Sequence, residues 1–163
     1  MGSGKSTVGR ILSSLTGFAL VDTDQLLARE AGQSIPEIFR EHGEKYFRTL
    51  ETRVLQSLVG RIGLIVATGG GAIIPPENRA LFRQIGTVVW LDASTDHLHK
   101  RVKHSRRPLL QTEDPRKTLE DLYRTREPLY REVATVRIDS TGLTHRETAE
   151  AVLAALRDNS ENS

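Results

Sequence analysis

The sequence predicts an α/β fold built on a parallel sheet, and two patterns lead to that prediction. Four short apolar runs show no alternation of polar and apolar residues, which is typical of parallel strands covered on both faces. They lie at 19–21, 64–67, 87–91 and 135–138. Between them, apolar residues recur at helical spacing, and alternating strands and helices form layered sheets with right-handed crossovers.

The elements follow one another in a regular order along the chain. The first predicted helix, 6–15, leads into the strand at 19–21, which ends at Asp22. A second helix, 44–58, aligns five apolar side chains on one face: Phe47, Leu50, Val54, Leu55 and Leu58. The strand at 64–67 ends in three glycines. The weaker strand at 135–138 is followed by a helix over 144–156.

Composition narrows the class of protein. A chain of 163 residues with 37% hydrophobic residues suits one compact domain, 1–163. Cysteine is absent, which excludes disulfide scaffolds, thiol catalysis and cysteine-ligated metals. No apolar run has the length of a membrane span, and 5% aromatic residues with a net charge of +2 offer little to nucleic acid. We therefore expect a cytoplasmic protein that binds neither membranes nor nucleic acid.

A phosphate-binding loop stands at the front of the chain. The full pattern is a glycine, four residues and then Gly-Lys-Ser/Thr, and its last part is present here. Its backbone N–H groups and the positive end of the following helix favour phosphate oxygens. We expect Lys5 to reach the outer phosphates of a nucleoside triphosphate and the Ser6 hydroxyl to ligate Mg²⁺. The alternative is a glycine-rich tail with a helix cap. The predicted loop residues are Gly2, Ser3, Gly4, Lys5, Ser6 and Thr7.

No predicted strand precedes this loop, although such loops normally follow a strand of the sheet. The first glycine of the pattern would lie just before Met1. Three explanations stay open: a shortened chain, a start assigned too late, or an unusual sheet. We favour the first two and expect the first strand to be missing.

Two acidic residues follow the first predicted strand. Side chains two apart on an extended backbone point the same way, so we expect Asp22 and Asp24 to face the crevice beyond the strand ends. One carboxylate could serve Mg²⁺, and the other could accept a proton from an attacking hydroxyl. The alternative is a helix N-cap formed by Asp22 or Thr23.

Three glycines and several arginines complete the candidate residues. Gly69, Gly70 and Gly71 carry no Cβ, so their backbone can lie against a ligand and donate N–H groups to it. The alternative is a flexible turn. An arginine fork matches carboxylate and phosphate geometry, although a single arginine more often lies on a solvated face.

These motifs, taken in order, resemble those of the shikimate kinases, a family of small P-loop kinases. The similarity runs from Met1 to about Val133. The matching pieces are Gly-Ser-Gly-Lys-Ser-Thr at 2–7, Asp-Thr-Asp at 22–24, Gly-Gln-Ser-Ile at 32–35, Phe-Arg at 47–48, Gly-Gly-Gly at 69–71, Arg-Pro-Leu-Leu at 107–110 and Arg-Glu-Pro-Leu-Tyr at 126–130.

The resemblance implies a fold and a reaction. The fold is a three-layer αβα P-loop kinase domain with a central parallel sheet, five-stranded in the family and here without its first strand. A lid is expected at about 103–114 and a shikimate-binding region at about 24–53. The reaction is ATP-dependent phosphorylation of the 3-hydroxyl of shikimate, a step toward aromatic amino acids. The implied partners are shikimate, ATP and Mg²⁺, and we expect a monomer.

On the nucleotide side, the resemblance assigns roles by position. Lys5 contacts the phosphates, while Ser6 and Asp22 lie near Mg²⁺. Arg107 corresponds to the lid arginine, which touches ATP and takes part in catalysis. Lys100 or Arg101 would flank the adenine.

On the acceptor side, Asp24 corresponds to the residue that binds the substrate hydroxyls and is the proposed base. Arg48 and Arg126 correspond to the pair that clamps the shikimate carboxylate, with Gly70 and Gly71 beneath the ring and Gly69 also among the substrate-binding residues. Glu51, three residues after Arg48, would orient that arginine.

Other functions remain open from the residues alone. A kinase for another small acceptor such as gluconate would share Lys5 and Ser6 but has no reason to keep the two arginines with the triple glycine. A non-catalytic nucleotide-binding paralogue would not need a base at Asp24. A nucleic-acid binder using 100–107 is disfavoured. Histidines at 97, 99 and 104 are expected to be solvated rather than metal-bound.

Overall fold

The computed structural model describes residues 4–102 and 114–161. Its elements are α1 (Lys5–Thr16), β1 (Ala19–Asp22), α2 (Thr23–Ala31), α3 (Ile35–Leu58), β2 (Leu64–Ala67), α4 (Pro76–Ile85), β3 (Val89–Asp92), α5 (Thr95–Val102), α6 (Pro115–Val133), β4 (Val136–Asp139) and α7 (His145–Glu161). The alternation of helices and parallel strands confirms the predicted α/β class. Within the described ranges, none of the helices is both long enough and apolar enough to cross a membrane.

The strands form two separate pairs. β1 runs parallel to β2 with Ala19 opposite Leu64, and β3 runs parallel to β4 with Val89 opposite Val136. Among the described residues, β2 and β3 are not hydrogen-bonded to each other, so the sheet is two ribbons rather than one. Most residues of β2 are only half-buried, whereas its apolar run predicts coverage on both faces. Leu64 and Val66 of β2 line a cavity together with residues of β3, which leaves them partly accessible.

The helix α3 differs most from its predicted extent. It begins at Ile35 rather than near Glu44, and Ser34 and Glu37 form a reciprocal capping box at its start. Gly43 interrupts it with φ +78° and ψ 176°, a conformation that only glycine adopts without strain. The bend breaks the helical periodicity, which is why the apolar pattern predicts only the second half of α3.

An apolar core fixes α3 against α2. Leu27 of α2 packs with Ile38, Phe47 and Val54 of α3. The Phe39 and Phe47 rings lie 4.7 Å apart across the bend at Gly43. This packing anchors the half of α3 that carries polar residues toward the site described next.

Candidate active site

The start of α1 lies at one end of the candidate site. Gly4 caps the helix with φ +77°, and no described side chain supplies a cap hydrogen bond. The ring of His145, the first residue of α7, lies so close that a Cβ on Gly4 would be 2.6 Å from its Nε2 atom. Lys5 lines a cavity together with Gly69 and Gly70, so the phosphate-loop lysine and the glycine loop share one space. Gly2 and Ser3 lie outside the described residues.

Ser6 and Asp22, the two predicted Mg²⁺ ligands, are in direct contact. Ser6 Oγ donates a hydrogen bond to Asp22 Oδ2 at 2.8 Å. The other carboxylate oxygen accepts from the backbone N–H groups of Asp24 and Gln25 at 3.1 and 3.2 Å. Asp22 is therefore the N-cap of α2, which was the alternative to a metal role. Its Oδ2 atom nevertheless faces Ser6.

The chemistry of this pair suits Mg²⁺. The protein would supply only two ligands to the metal, one carboxylate and one hydroxyl. Mg²⁺ usually fills the rest of its coordination shell with waters and substrate phosphates. Within the described part of the chain, no cluster of three or more His, Asp or Glu side chains could hold a metal by itself.

Asp24 lies at the glycine loop, but the backbone conformation from which its position was predicted is wrong. The prediction assumed an extended backbone from Asp22 to Asp24, but β1 ends at Asp22 and α2 begins at Thr23. Asp24 instead projects from the first turn of α2. It still reaches the glycine loop, because a Cβ on Gly69 would lie 3.2 Å from its Oδ1 atom.

The glycine loop is held by residues that sequence analysis did not single out for this purpose. Tyr130 of α6 donates its hydroxyl to the Gly70 carbonyl oxygen at 2.6 Å. Burial raises the pKa of Tyr130, which keeps the phenol protonated as a donor. Asn78, fully buried in α4, donates Nδ2 to the Ala72 carbonyl oxygen at 2.9 Å. The Arg-Glu-Pro-Leu-Tyr motif includes Tyr130, whereas nothing in the sequence pointed to Asn78.

Arg48 lies against this loop. Two ion pairs hold it: Nη1 is 2.8 Å from Glu51 Oε2, and Nη2 is 3.1 Å from Glu44 Oε1. A Cβ on Gly71 would collide with the guanidinium, whose Cζ would be only 2.9 Å away. Position 71 therefore admits no side chain while Arg48 stays where it is.

Glu51 is a buried carboxylate among other charges. It is 1% exposed, and its contact with Arg48 has the expected spacing of three residues. Burial raises the pKa of Glu51, the Asp24 charge raises it further, and the charges of Arg48 and Arg126 lower it. Asp24, Glu51 and Arg48 thus lie beside the glycine loop, and Arg126 is near enough to Glu51 to lower its pKa.

Arg126 completes this cluster from α6. It is 5% exposed, and its Nε atom has no hydrogen-bond partner among the described residues. The Oε1 atom of Glu51 is also buried without a described partner. Burying polar groups without partners is costly, so such atoms mark a place where a ligand would complete the hydrogen bonding. An arginine fork beside Arg48 suits a carboxylate.

The lid prediction lies largely outside the described residues. Arg107 and positions 103–113 are not described, nor are the side chains of Lys100 and Arg101. Asp114, the last residue of the predicted lid, caps α6 by accepting from the Lys117 N–H at 3.0 Å.

Comparisons with known proteins agree with one another. The sequence model described as shikimate kinase matches residues 1–157. A shikimate kinase of Cupriavidus pinatubonensis is 46% identical over 157 residues, covering 96% of this chain and 82% of that protein. One of Halorhodospira halophila is 45% identical over 158 residues, covering 96% of this chain and 89% of that protein.

Solved structures give the same result. The shikimate kinase from Acinetobacter baumannii, solved in complex with shikimate, superposes with a TM-score of 0.93 at 43% identity, covering 98% of this chain and 89% of that one. The shikimate kinase of Aquifex aeolicus superposes with a TM-score of 0.84 at 29% identity, covering 100% of this chain and 95% of that one.

Proposed function

This chain belongs to the shikimate kinase family, and from that premise we propose that it transfers the γ-phosphoryl group of ATP to the 3-hydroxyl of shikimate. The products are shikimate 3-phosphate and ADP, and the reaction is a step toward aromatic amino acids. The observation that supports the proposal is that Asp24 and Arg48 lie against the glycine loop at 69–71, while the buried Arg126 acts on the same Glu51 that holds Arg48.

The acceptor side is organised for an anionic alcohol. Arg48 and Arg126 bind the shikimate carboxylate, which supplies the acceptor that the buried Arg126 Nε lacks. Glu51 holds Arg48 in place through the 2.8 Å ion pair. The glycine loop lies beneath the ring and offers backbone N–H groups without steric obstruction.

Asp24 acts on the hydroxyl that attacks. It binds the substrate hydroxyls and accepts the proton of the 3-hydroxyl as the oxygen bonds to the γ-phosphorus of ATP. The bond from that phosphorus to the ADP oxygen breaks in line with the attack. Because the two arginines fix the opposite end of the acid, the hydroxyl is already oriented before transfer.

The nucleotide side binds and positions ATP. The loop at 2–7 and the start of α1 hold the phosphates, with Lys5 at the outer ones. Ser6 and Asp22 are the residues that would hold Mg²⁺ beside them. When bound, Mg²⁺ neutralises charge on the phosphate oxygens. Arg107 closes over ATP from the lid at 103–114 and excludes water from the reaction.

The remaining features of the proposal concern the whole chain. Residues 1–163 form one P-loop kinase domain, with its shikimate-binding region at about 24–53. It works as a cytoplasmic monomer and has no nucleic-acid or membrane partner.

Assays of ADP release test the proposal. ATP is supplied with shikimate, with shikimate lacking the 3-hydroxyl, with gluconate, or with no acceptor. Of these four conditions, we expect ADP release only when shikimate is the acceptor. Release with gluconate but not with shikimate would show a kinase of another specificity. ATP binding without turnover on any acceptor would show a non-catalytic nucleotide-binding paralogue.

A further inference from the structure

A phenol holds one side of the glycine loop. Tyr130 of α6 donates its hydroxyl to the Gly70 carbonyl oxygen at 2.6 Å. The half-buried Tyr130 ring stacks on Trp90 of β3, with ring centroids 5.8 Å apart and ring planes inclined by 25°. Packing of the ring therefore helps to fix where the hydroxyl lies, in addition to the hydrogen bond itself.

This hydrogen bond also sets the direction of the next N–H group along the chain. The Gly70 carbonyl and the Gly71 N–H belong to one planar peptide, which is trans. In a trans peptide, the C=O and N–H bonds point in opposite directions. Because the Gly70 carbonyl points to Tyr130, the Gly71 N–H points away from Tyr130.

The Gly71 N–H has no acceptor among the described residues. The N–H groups that follow it do have acceptors: Ala72 donates to the Gly69 carbonyl at 3.1 Å, and Ile74 donates to the Gly71 carbonyl at 3.0 Å. Gly71 is buried, and a buried N–H without a partner costs free energy. A ligand oxygen at this place would supply the missing acceptor.

Tyr130 also acts on one of the two arginines. Arg126 and Tyr130 are four residues apart on α6, the spacing at which side chains of a helix are neighbours. Burial raises the pKa of Tyr130, whereas the charge of Arg126 and its hydrogen bond to the phenol lower that pKa. Tyr130 therefore links Arg126 to the glycine loop, and Arg48 lies against the same loop at Gly71.

We propose that Tyr130 is a positioning residue for the carboxylate of shikimate: its hydroxyl turns the Gly71 N–H toward that carboxylate and keeps the glycine loop in register with Arg126. The inference rests on the proposed kinase function, from which the acceptor is taken. A backbone N–H that is fixed in advance binds a carboxylate oxygen well, because little ordering is needed on binding. Two guanidinium groups and one backbone N–H then share the carboxylate.

The alternative is that the hydroxyl only stabilises the fold, and the two roles differ in their effect on substrates. A purely structural hydrogen bond contributes equally whichever acceptor is bound. A bond that directs a donor at the carboxylate matters only for an acceptor that has a carboxylate. The experiment therefore compares shikimate with the corresponding triol, in which hydrogen replaces the carboxylate while the ring and its hydroxyls are kept.

Steady-state kinetics of ADP release are measured for the unsubstituted chain and for Tyr130→Phe. This substitution removes the hydroxyl and keeps the ring that stacks on Trp90. We expect kcat/KM for shikimate to fall by about tenfold, because a hydrogen bond to a charged group loses its fixed donor. The KM for ATP and kcat/KM for the triol should change by less than about twofold.

Tyr123→Phe is the matched control. Tyr123 lies on the same helix and also loses a hydroxyl, but that hydroxyl donates to Asp92 at 3.1 Å rather than to the glycine loop. We expect this variant to be less stable to unfolding and to keep the kcat/KM of the unsubstituted chain for both acceptors.

Three results would overturn the proposal: equal losses for shikimate and the triol, no loss for shikimate, or a loss of the same size in Tyr123→Phe. Should Tyr130→Phe not fold, hydrogen exchange of the Gly71 N–H in the unsubstituted chain decides the matter. Saturating shikimate should slow this exchange by at least about tenfold and the triol should not. Equal exchange with both ligands would likewise overturn the proposal.

The kinase proposal fails in a different way. Titration of shikimate without ATP shows whether the acceptor binds, and Tyr130→Phe should weaken that binding by about tenfold even if no phosphoryl group is transferred. Such binding without ADP release would contradict the proposed function and support the role of Tyr130. A chain that phosphorylates shikimate equally well with and without the hydroxyl would do the reverse.

Discussion

The substitution Gly71→Ala tests the acceptor side most directly. In the structure, an alanine Cβ would lie 2.8 Å from Arg48 Nη1 and 2.9 Å from its Cζ, with Nη2 closer still. Ordinary contact needs about 3.5 Å or more, so the guanidinium must retreat by about 1 Å. The φ angle of Gly71 is not positive, so alanine fits the backbone without strain.

The retreat moves Arg48 out of its ion pair with Glu51 and away from the shikimate carboxylate. A misplacement of about 1 Å can cost up to about 10²-fold, so we expect kcat/KM for shikimate to fall by about 10- to 100-fold. That range corresponds to about 1.4–2.7 kcal/mol of lost transition-state stabilisation. The KM for ATP should change little, whereas the free energy of unfolding should fall, because the buried Glu51 carboxylate loses its partner.

A double-mutant cycle isolates the cause. Steady-state kinetics are measured for Gly71→Ala, Arg48→Ala and the double variant. Because the alanine acts through Arg48, it should have little further effect once that side chain is gone. Gly69→Ala is the comparison variant, since its Cβ meets Asp24 Oδ1 at 3.2 Å rather than Arg48, so whatever activity it loses should be the same with and without Arg48. The same fold-loss for Gly71→Ala with and without Arg48 would refute the reasoning.

Three further predictions concern the charged residues. Asp24→Asn should lower kcat by at least about 10²-fold while ATP still binds in a titration, because the general base is lost; normal turnover would remove Asp24 from that role. Arg126→Lys should raise the KM for shikimate far more than the KM for ATP, since lysine cannot form the two-pronged contact; equal changes would show that the carboxylate clamp is misassigned. Burial raises the pKa of Glu51 above its usual value of 4.5, so the folded protein holds this proton more tightly than the unfolded chain does. The resulting stability is present below pH 4.5 and is lost as the pH rises through the folded-state pKa. The free energy of unfolding of the unsubstituted protein minus that of Glu51→Gln should therefore fall with rising pH. A difference that does not change with pH would contradict the assignment.

The sequence predicted the strands well because their signal is local. The run at 64–67 corresponds to β2 residue for residue, since a short uninterrupted apolar run that follows Gly63 and is closed by Thr68 and three glycines is typical of a buried strand. The separation of the strands into two pairs was not predictable in this way, because pairing depends on contacts distant in sequence.

The site was predictable where residue type and order carry the information. Ser6 and Asp22 stand in recognisable motifs, and the structure brings them into contact. Asn78 was missed because an asparagine at the start of a helix has no pattern of its own; its importance comes from burial against Ala72. The backbone conformation of Asp24 was predicted wrongly, because the sequence does not show that β1 ends at Asp22 and α2 begins at Thr23.

Through its two carboxylate oxygens, Asp22 couples the nucleotide side of the proposed kinase site to its shikimate side. One oxygen meets Ser6 at the phosphate end, while the other fixes the first turn of α2, from which Asp24 projects. Loss of this carboxylate would therefore displace Asp24 on the shikimate side as well as Ser6 on the nucleotide side. An inactive variant at position 22 would then not prove that Mg²⁺ binding alone was lost. Asparagine, which caps helices as well as aspartate does, separates the two effects.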